Sequence, residues 1–86
     1  DRTMKPQKVV FKASPKDAPY IRTKPLHRSQ MVIEEDMEGY TTFQLEVIVN
    51  PELERDLRAY GCGITVLSPQ SLVESIRRHH KASLNP

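Results

Sequence analysis

The sequence contains few of the residue types on which several kinds of site depend. Its 86 residues include one cysteine, Cys62, three glycines and no tryptophan. One cysteine excludes an internal disulfide, and three scattered glycines leave no glycine-rich phosphate loop. No apolar run approaches the roughly 20 residues that a membrane-spanning helix needs. We therefore expect no membrane association, and a reducing, cytoplasmic setting.

The length of the chain is typical of one domain. A chain of 86 residues buries roughly 60 to 65% of its unfolded surface, which leaves only a small core. Because the sequence starts at Asp1 and has no secretion signal, we interpret it as a fragment of a longer protein. Residues 1–86 are predicted to form a single domain, with a linker at 1–6 and a loose tail at 82–86.

Charge is divided unevenly along the chain. Residues 1–28 hold eight Lys or Arg against two acids, a net charge of +6, whereas residues 29–86 hold five against nine, a net charge of −4. The overall charge of +2 therefore conceals a basic first third and an acidic remainder, so charge is segregated along the sequence.

The first third predicts a strand followed by a helix. Residues 7–13 alternate in a way that places Val9 and Phe11 on one face of a strand. Ser14, which precedes a proline, is typical of a residue that caps a helix N-terminus. A later proline should end this helix by Lys24.

Two further strands are predicted around a polar turn. The runs Gln30–Glu35 and Tyr40–Val49 flank a turn that ends in Gly39, as in a hairpin. In the second run, apolar residues alternate with polar ones, so one face should be buried and the other largely wet. These apolar residues are Phe43, Leu45, Val47 and Val49. The first run leaves open whether Val32 or Ile33 points inward.

The second half predicts a helix, a strand and a last helix. Asn50, followed by a proline, is typical of a helix N-cap, and Gly61 can adopt the left-handed conformation that ends the helix. A strand through Ile64 and Val66 should follow, and Ser68, again before a proline, is predicted to cap the last helix. The residues predicted to share the inner faces of these helices are Leu53, Leu57, Tyr60, Leu72, Val73, Ile76 and His80.

The predicted order of elements is β-α-β-β-α-β-α. Four strands with two crossover helices match an α+β fold of the ferredoxin-like, or split β-α-β, type, with an antiparallel sheet and helices on one face. Right-handed crossovers leave few other ways to fold this order. The last helix is an addition that is free to pack on the sheet edge or on a partner.

The most basic part of the sequence is the turn before the second strand, at residues 22–29. Its charged side chains and its imidazole belong to Arg22, Lys24, His27 and Arg28. Such a loop is able to hold a phosphate or a nucleic-acid backbone. The simpler interpretation is a solvated connector whose charges keep the domain soluble.

Other groups of reactive residues favour structural interpretations. His79 and His80 are neighbours about 100° apart around a helix, which suits one metal ion poorly. Cys62 lies between two glycines at a turn, without a base predicted beside it. The acids of residues 34–38 lack the spacing of a calcium loop. We therefore predict no metal, no cofactor and no enzymatic activity.

Several short motifs, in this order and spacing, resemble one family. They are Lys24–Gln30, Phe43–Val47, Asn50–Glu54, Tyr60–Gly61 and Val66–Pro69. Together they are similar to the C-terminal extension, the WCX region, of bacterial WYL-domain transcriptional regulators, and the similarity spans nearly the whole chain. In such regulators a winged helix-turn-helix and a WYL domain precede this extension. The Trp-Tyr-Leu signature is missing here, since the chain has no tryptophan.

The resemblance implies a module that couples effector binding to subunit association, while DNA reading is done elsewhere. Its expected partners are the WYL and helix-turn-helix domains of the same chain, a second subunit in a homodimer, and a nucleotide or single-stranded nucleic-acid effector. If the extension contributes to an anionic effector site, we expect Arg22, Lys24, His27 and Arg28 to contact it. Lys8 and Lys12 of the first strand would form a neighbouring rim.

Three alternatives share the order of strands and helices. An ACT-like module that binds a small ligand is the main one. An acylphosphatase-like enzyme would need an arginine in an anion-binding loop after the first strand, where the sequence has only Ser14-Pro15-Lys16. An RNA-recognition module would need paired aromatic residues on the middle strands, which instead carry Thr42, Gln44 and Glu46.

Overall fold

The computed structural model describes residues 5–84, with side chains described as far as His79. It is a mixed α/β domain whose strands and helices follow in the predicted order. They are β1 (Gln7–Ala13), α1 (Ala18–Thr23), β2 (Met31–Glu35), β3 (Thr41–Val47), α2 (Pro51–Arg58), β4 (Ile64–Ser68) and α3 (Gln70–Leu84). A single turn of 3₁₀ helix at Gly61–Gly63 precedes β4.

The four strands form one antiparallel sheet in the order β2-β3-β1-β4. Strand β3 therefore lies between β1 and β2, and β1 lies between β3 and β4. In the register of β1 with β3, Phe11 is opposite Phe43, and their rings stack with centroids 5.3 Å apart. This pair sits at the centre of the sheet.

The core lies on one face of the sheet, as the alternation of β1 and β3 predicts. Val9 and Phe11 are fully buried, and so is Leu45 of β3. Helix residues complete the same cluster, namely Ala18 and Ile21 of α1, Leu53 and Leu57 of α2, and Leu72 of α3. Val49, Tyr60 and Ile76 are partly buried against it. All three helices thus contribute to the face that carries the apolar strand residues.

The opposite face of the sheet is mostly polar, although Val10 of β1 lies on it, opposite Gln44. One residue of β3 departs from the prediction that this face is wet. Thr42 is buried, although it alternates with the core residues of β3. Its register partners are Lys12 on one side and Glu34 on the other. The long side chains of these two neighbours flank the short threonine, which explains its burial.

The predicted start of the first helix is confirmed only in part. The Ser14 hydroxyl accepts the N–H of Asp17 at 3.3 Å, as a cap would, but helix α1 itself begins at Ala18. The Ser14 N–H donates to the carbonyl of Gly63 at 2.9 Å, so Ser14 is also tied to the segment before β4. The Ser14 carbonyl accepts the N–H of Ala18 at 2.8 Å, so a turn leads into the helix. The prediction that Pro25 ends this helix by Lys24 is confirmed, since α1 ends at Thr23.

In strand β2 neither Val32 nor Ile33 is buried. Their exposed fractions are 42% and 47%. Strand β2 is at the edge of the sheet, and its register with β3 shifts between Val32 and Glu34. All five residues of β2 are exposed, and Val32 lies opposite the core residue Phe43, on the core face of the sheet but at its open edge.

Helix α2 follows its predicted signals closely. The Asn50 side chain accepts the N–H of Leu53 at 2.8 Å and caps the helix. Gly61 adopts the left-handed conformation, with φ of 59°, two residues after the helix C-cap at Ala59. Leu53 and Leu57 face the core as expected.

Helix α3 begins one residue later than a Ser68 cap implies. The N–H groups of Leu72 and Val73 donate to the carbonyl of Pro69 at 3.0 and 3.1 Å. Leu72 is buried, whereas the His80 side chain lies outside the described residues. The helix runs to Leu84, so it covers the start of the tail predicted at 82–86.

Candidate functional site

Arg22, the first residue of the basic turn, is tied to the sheet. Its guanidinium lies 2.9 Å from a carboxylate oxygen of Glu35 and donates to the hydroxyl of Thr41 at 3.4 Å. Both partners lie at the β2–β3 hairpin, where Glu35 is opposite Thr41. Arg22 therefore joins the end of α1 to the sheet, and its charge is partly neutralised.

Lys24 and Arg28 have exposed side chains. The ammonium of Lys24 lies 5.8 Å from the centroid of the Tyr20 ring, close enough for a weak cation–π contact. Tyr20 in turn meets the ring of Tyr60 edge-on, with centroids 6.5 Å apart. These two cations are the members of the basic turn that remain open to an anion.

His27 is part of the local structure of the turn. Its Nδ1 accepts the N–H of Ser29 at 3.0 Å and lies 2.8 Å from the Ser29 hydroxyl. That hydroxyl accepts the N–H of Glu46 at 2.8 Å. The side chain of Gln30 accepts the Leu26 N–H and donates to the carbonyl at the end of α1. The polar residues of the turn thus bond mainly to one another and to β3.

Lys8 and Lys12 lie on the other face of the sheet from α1. Both alternate with the buried residues of β1, whereas α1 contributes to the core face. Lys8 is opposite Glu46, and the Lys12 ammonium lies 4.0 Å from Asp36. The structure does not bring these lysines together with the four residues of the basic turn into one site.

A second group of charged residues joins α2 to α3, and the sequence analysis missed it. At its centre is Glu54, whose side chain is only 12% exposed. The Ser75 hydroxyl donates to its two oxygens at 2.8 and 2.9 Å, and His79 Nδ1 lies 2.7 Å from one of them. Arg58 Nε lies 4.0 Å from the same oxygen. We call these four residues the Glu54 cluster.

The Glu54 cluster has a recognisable signal in the sequence. Glu54 and Arg58 are four residues apart on α2, and Ser75 and His79 are four apart on α3, so each pair lies on one side of its helix. The spacing predicts two polar stripes. It does not predict that the two stripes face each other, because that depends on how α3 docks.

An open groove borders the Glu54 cluster. Its walls are the end of α2, the 3₁₀ turn, β4 and α3, and its volume is about 520 Å³. Arg58, Arg77 and His79 contribute polar groups to it, and Cys62, which is exposed, lies at its end. A second groove of about 360 Å³ lies beside it and shares Arg58 and His79.

Two kinds of site have no support in the described part of the chain. Among residues 5–79, whose side chains are described, no three or more histidine, cysteine or acidic side chains come together as metal ligands would. Within residues 5–84, no helix has the length and apolar character needed to cross a membrane. The geometry therefore offers two candidate regions, the basic turn and the groove beside the Glu54 cluster.

Comparison with known proteins identifies the family and not the ligand. No curated protein shows significant similarity to the chain. The family model described as the WCX domain matches residues 5–84, nearly the whole sequence. This match confirms the resemblance to the WCX region of WYL-type regulators. The chain belongs to the WCX domain family.

Proposed function

We propose that this domain is the C-terminal effector-coupling and oligomerisation module of a WYL-type bacterial transcriptional regulator. Family membership supports the association with such regulators. In this proposal the WYL and helix-turn-helix domains precede it in the same cytoplasmic protein, and the module itself reads no promoter DNA and catalyses no reaction.

We further infer that the topology is of the ferredoxin-like type. The pairings make β1 parallel to β2 with β3 between them, and β3 parallel to β4 with β1 between them. Helices α1 and α2 lie in the two connections. Two interleaved β-α-β units are the pattern for which this type is named.

The main observation in support of the assembly function is the exposed edge strand of the sheet, β2. Every residue of β2 is exposed, including Met31, Val32 and Ile33, each of them close to half exposed. An edge strand presents unpaired N–H and C=O groups to which another strand can bind. Three consecutive exposed apolar residues on such an edge favour a surface that another subunit or domain covers.

Sedimentation equilibrium tests this assembly function. We expect the chain and the whole regulator to form dimers, and Ile33→Lys to shift the chain toward monomer, because a charge on β2 would be buried by pairing. Met37→Lys is the matched control, since Met37 is fully exposed in the hairpin turn. Strict monomers of both the chain and the regulator at high concentration would contradict the proposal.

The effector-coupling part concerns an anion, such as a nucleotide or single-stranded nucleic acid. Lys24 and Arg28 are exposed and lie on the same turn, which supports them as its contacts. An ACT-like module for a small ligand is the alternative, supported by the same order of strands and helices. A thermal-shift screen separates the two, since tight binding of a free amino acid favours the alternative and a nucleotide favours the proposal.

A further inference from the structure

We propose that the groove between α2, β4 and α3 binds a small organic anion with an apolar body. This site is distinct from the basic turn and from the exposed edge at β2. The inference does not depend on the proposed function, because it concerns a surface within one copy of the domain.

The floor and one wall of the groove are apolar. Ile64 and Val66 of β4 form part of the lining, and Val73 and Ile76 of α3 lie across from them. The volume of about 520 Å³ is in the range of pockets that hold small molecules, roughly 300 to 1,000 Å³. A ligand that fills it therefore needs an apolar portion.

The charged side chains around the groove predict the sign of the ligand's charge. Residues 29–86 carry a net charge of −4, yet the side chains that line this groove include Arg58 and Arg77 and none from aspartate or glutamate. Arg58 comes from α2 and Arg77 from α3. Two guanidinium groups on different helices around an apolar floor are complementary to an amphipathic anion.

The nearest carboxylate leaves both arginines able to donate. Glu54 lines only the neighbouring groove, and its oxygens are already bonded to Ser75 and His79. Arg58 Nε is 4.0 Å from Glu54, too far for a hydrogen bond. A guanidinium with unused donors binds a carboxylate or phosphate in a planar, two-bond geometry.

A small molecule fits this groove better than a nucleic-acid strand. Among the described residues, no tyrosine or phenylalanine lines it, whereas binding of single strands relies on aromatic side chains that stack on successive bases. Aliphatic side chains together with two arginines suit one apolar molecule that carries one acidic group.

Titrations of the ¹⁵N-labelled chain with 2-naphthoate, followed by NMR, test the proposal. We expect saturable shifts of the amide signals of Thr65, Ile76 and Arg77, with a Kd of about 1 mM or tighter. The neutral isostere 2-naphthalenemethanol should bind about tenfold more weakly, because it cannot form charge-assisted bonds. Inorganic phosphate alone should also bind more weakly, since it leaves the apolar floor empty.

Arginine substitutions assign the contacts. Arg58→Met and Arg77→Met should each raise the Kd for 2-naphthoate about tenfold. Arg78→Met is the matched control, because Arg78 is exposed on the same helix and does not line the groove; its Kd should not change. If Arg58→Met unfolds the domain, Arg77→Met carries the test, since Arg77 has an exposed side chain.

Several results would overturn the proposal. They are an absence of saturable shifts at the groove, equal affinity for the neutral isostere, and an Arg78→Met effect as large as that of Arg77→Met. Shifts confined to Lys24 and Arg28 would also overturn it and would place anion binding at the basic turn. None of these results bears on the oligomeric state, so failure of this site is distinguishable from failure of the proposed function.

Discussion

The basic turn and the Glu54 cluster both collect charged residues beside helix ends, but they hold them differently. In the basic turn, Arg22 pairs with a Glu35 side chain that is 55% exposed, and Lys24 and Arg28 face water. In the cluster, one nearly buried carboxylate receives bonds from two residues of another helix. Exposed ion pairs contribute little to stability, whereas a bonded and desolvated carboxylate is costly to disturb.

A segment that is rich in charged residues is therefore not necessarily the segment whose charges stabilise the fold. The basic turn is the most conspicuous charged segment of the chain, yet its open charges are available to a ligand. Glu54 is one acid among eleven, and it bonds α2 to α3 through Ser75 and His79. The following substitutions test this contrast.

The largest effect is expected at the centre of the cluster. Glu54→Ala should lower the free energy of unfolding by about 2 kcal/mol, because it leaves the Ser75 hydroxyl without its acceptor and leaves His79 Nδ1 only the Ser75 carbonyl as a partner. Urea denaturation followed by circular dichroism measures the change. Asp56→Ala, an exposed acid on the same helix, is the control and should stay within about 0.5 kcal/mol of wild type. Equal losses would contradict the contrast.

The next effect compares the starts of α1 and α2. Asn50→Ala should cost about 1 kcal/mol, since it removes the side-chain cap on the N–H of Leu53. Asp17→Ala should cost about 0.5 kcal/mol or less, because Asp17 precedes α1 without a side-chain capping bond. Urea denaturation of both variants at one pH makes the comparison. A larger loss of stability for Asp17→Ala than for Asn50→Ala would contradict this expectation, because the N-cap residue of α1 would then contribute more than that of α2.

A smaller effect is expected at the exposed pair of the basic turn. Arg22→Ala should cost about 0.5 kcal/mol, since both Arg22 and Glu35 are well exposed and water screens their attraction. A double-mutant cycle with Glu35→Ala isolates the coupling energy between the two side chains. The coupling should fall further in high salt. A salt-independent coupling larger than that of Glu54 with Ser75 would reverse the comparison of the two regions.

Local sequence patterns predict the strands well. They fail where contacts between residues far apart in the sequence determine the structure. The alternation over 7–13 gives the bounds of β1 and its buried face, and Asn50 gives the start of α2, because both signals act within a few residues. Ser14 also has the sequence of a cap and its hydroxyl accepts the N–H of Asp17, but its N–H is bonded to the distant Gly63 and the helix begins only at Ala18. The Glu54 cluster and its groove need the docked position of α3, which no local pattern contains.

The smallest predicted effect concerns Tyr60, which connects the two regions. It follows α2, and its ring meets that of Tyr20 on α1. Burial raises the pKa of Tyr60 above its usual 10.0, and the negative charges of Tyr20, Asp17 and Asp56 raise it further. The folded state therefore prefers the protonated phenol. The contribution of the protonated Tyr60 phenol to folding stability is fully present below pH 10.0. It is lost as the pH rises through the higher pKa of the folded state.

Tyr60→Phe removes this ionisation, so a comparison of the variant with the wild type measures the direction of the pKa shift. The variant should gain stability relative to wild type between about pH 8 and about pH 10.5, because only the wild type must then keep an ionisable phenol beside acidic groups. Urea denaturation at the two pH values gives the difference, and Tyr40→Phe serves as the control for a general alkaline effect. A difference between Tyr60→Phe and wild type that is the same at both pH values would mean that the fold does not raise the pKa of Tyr60.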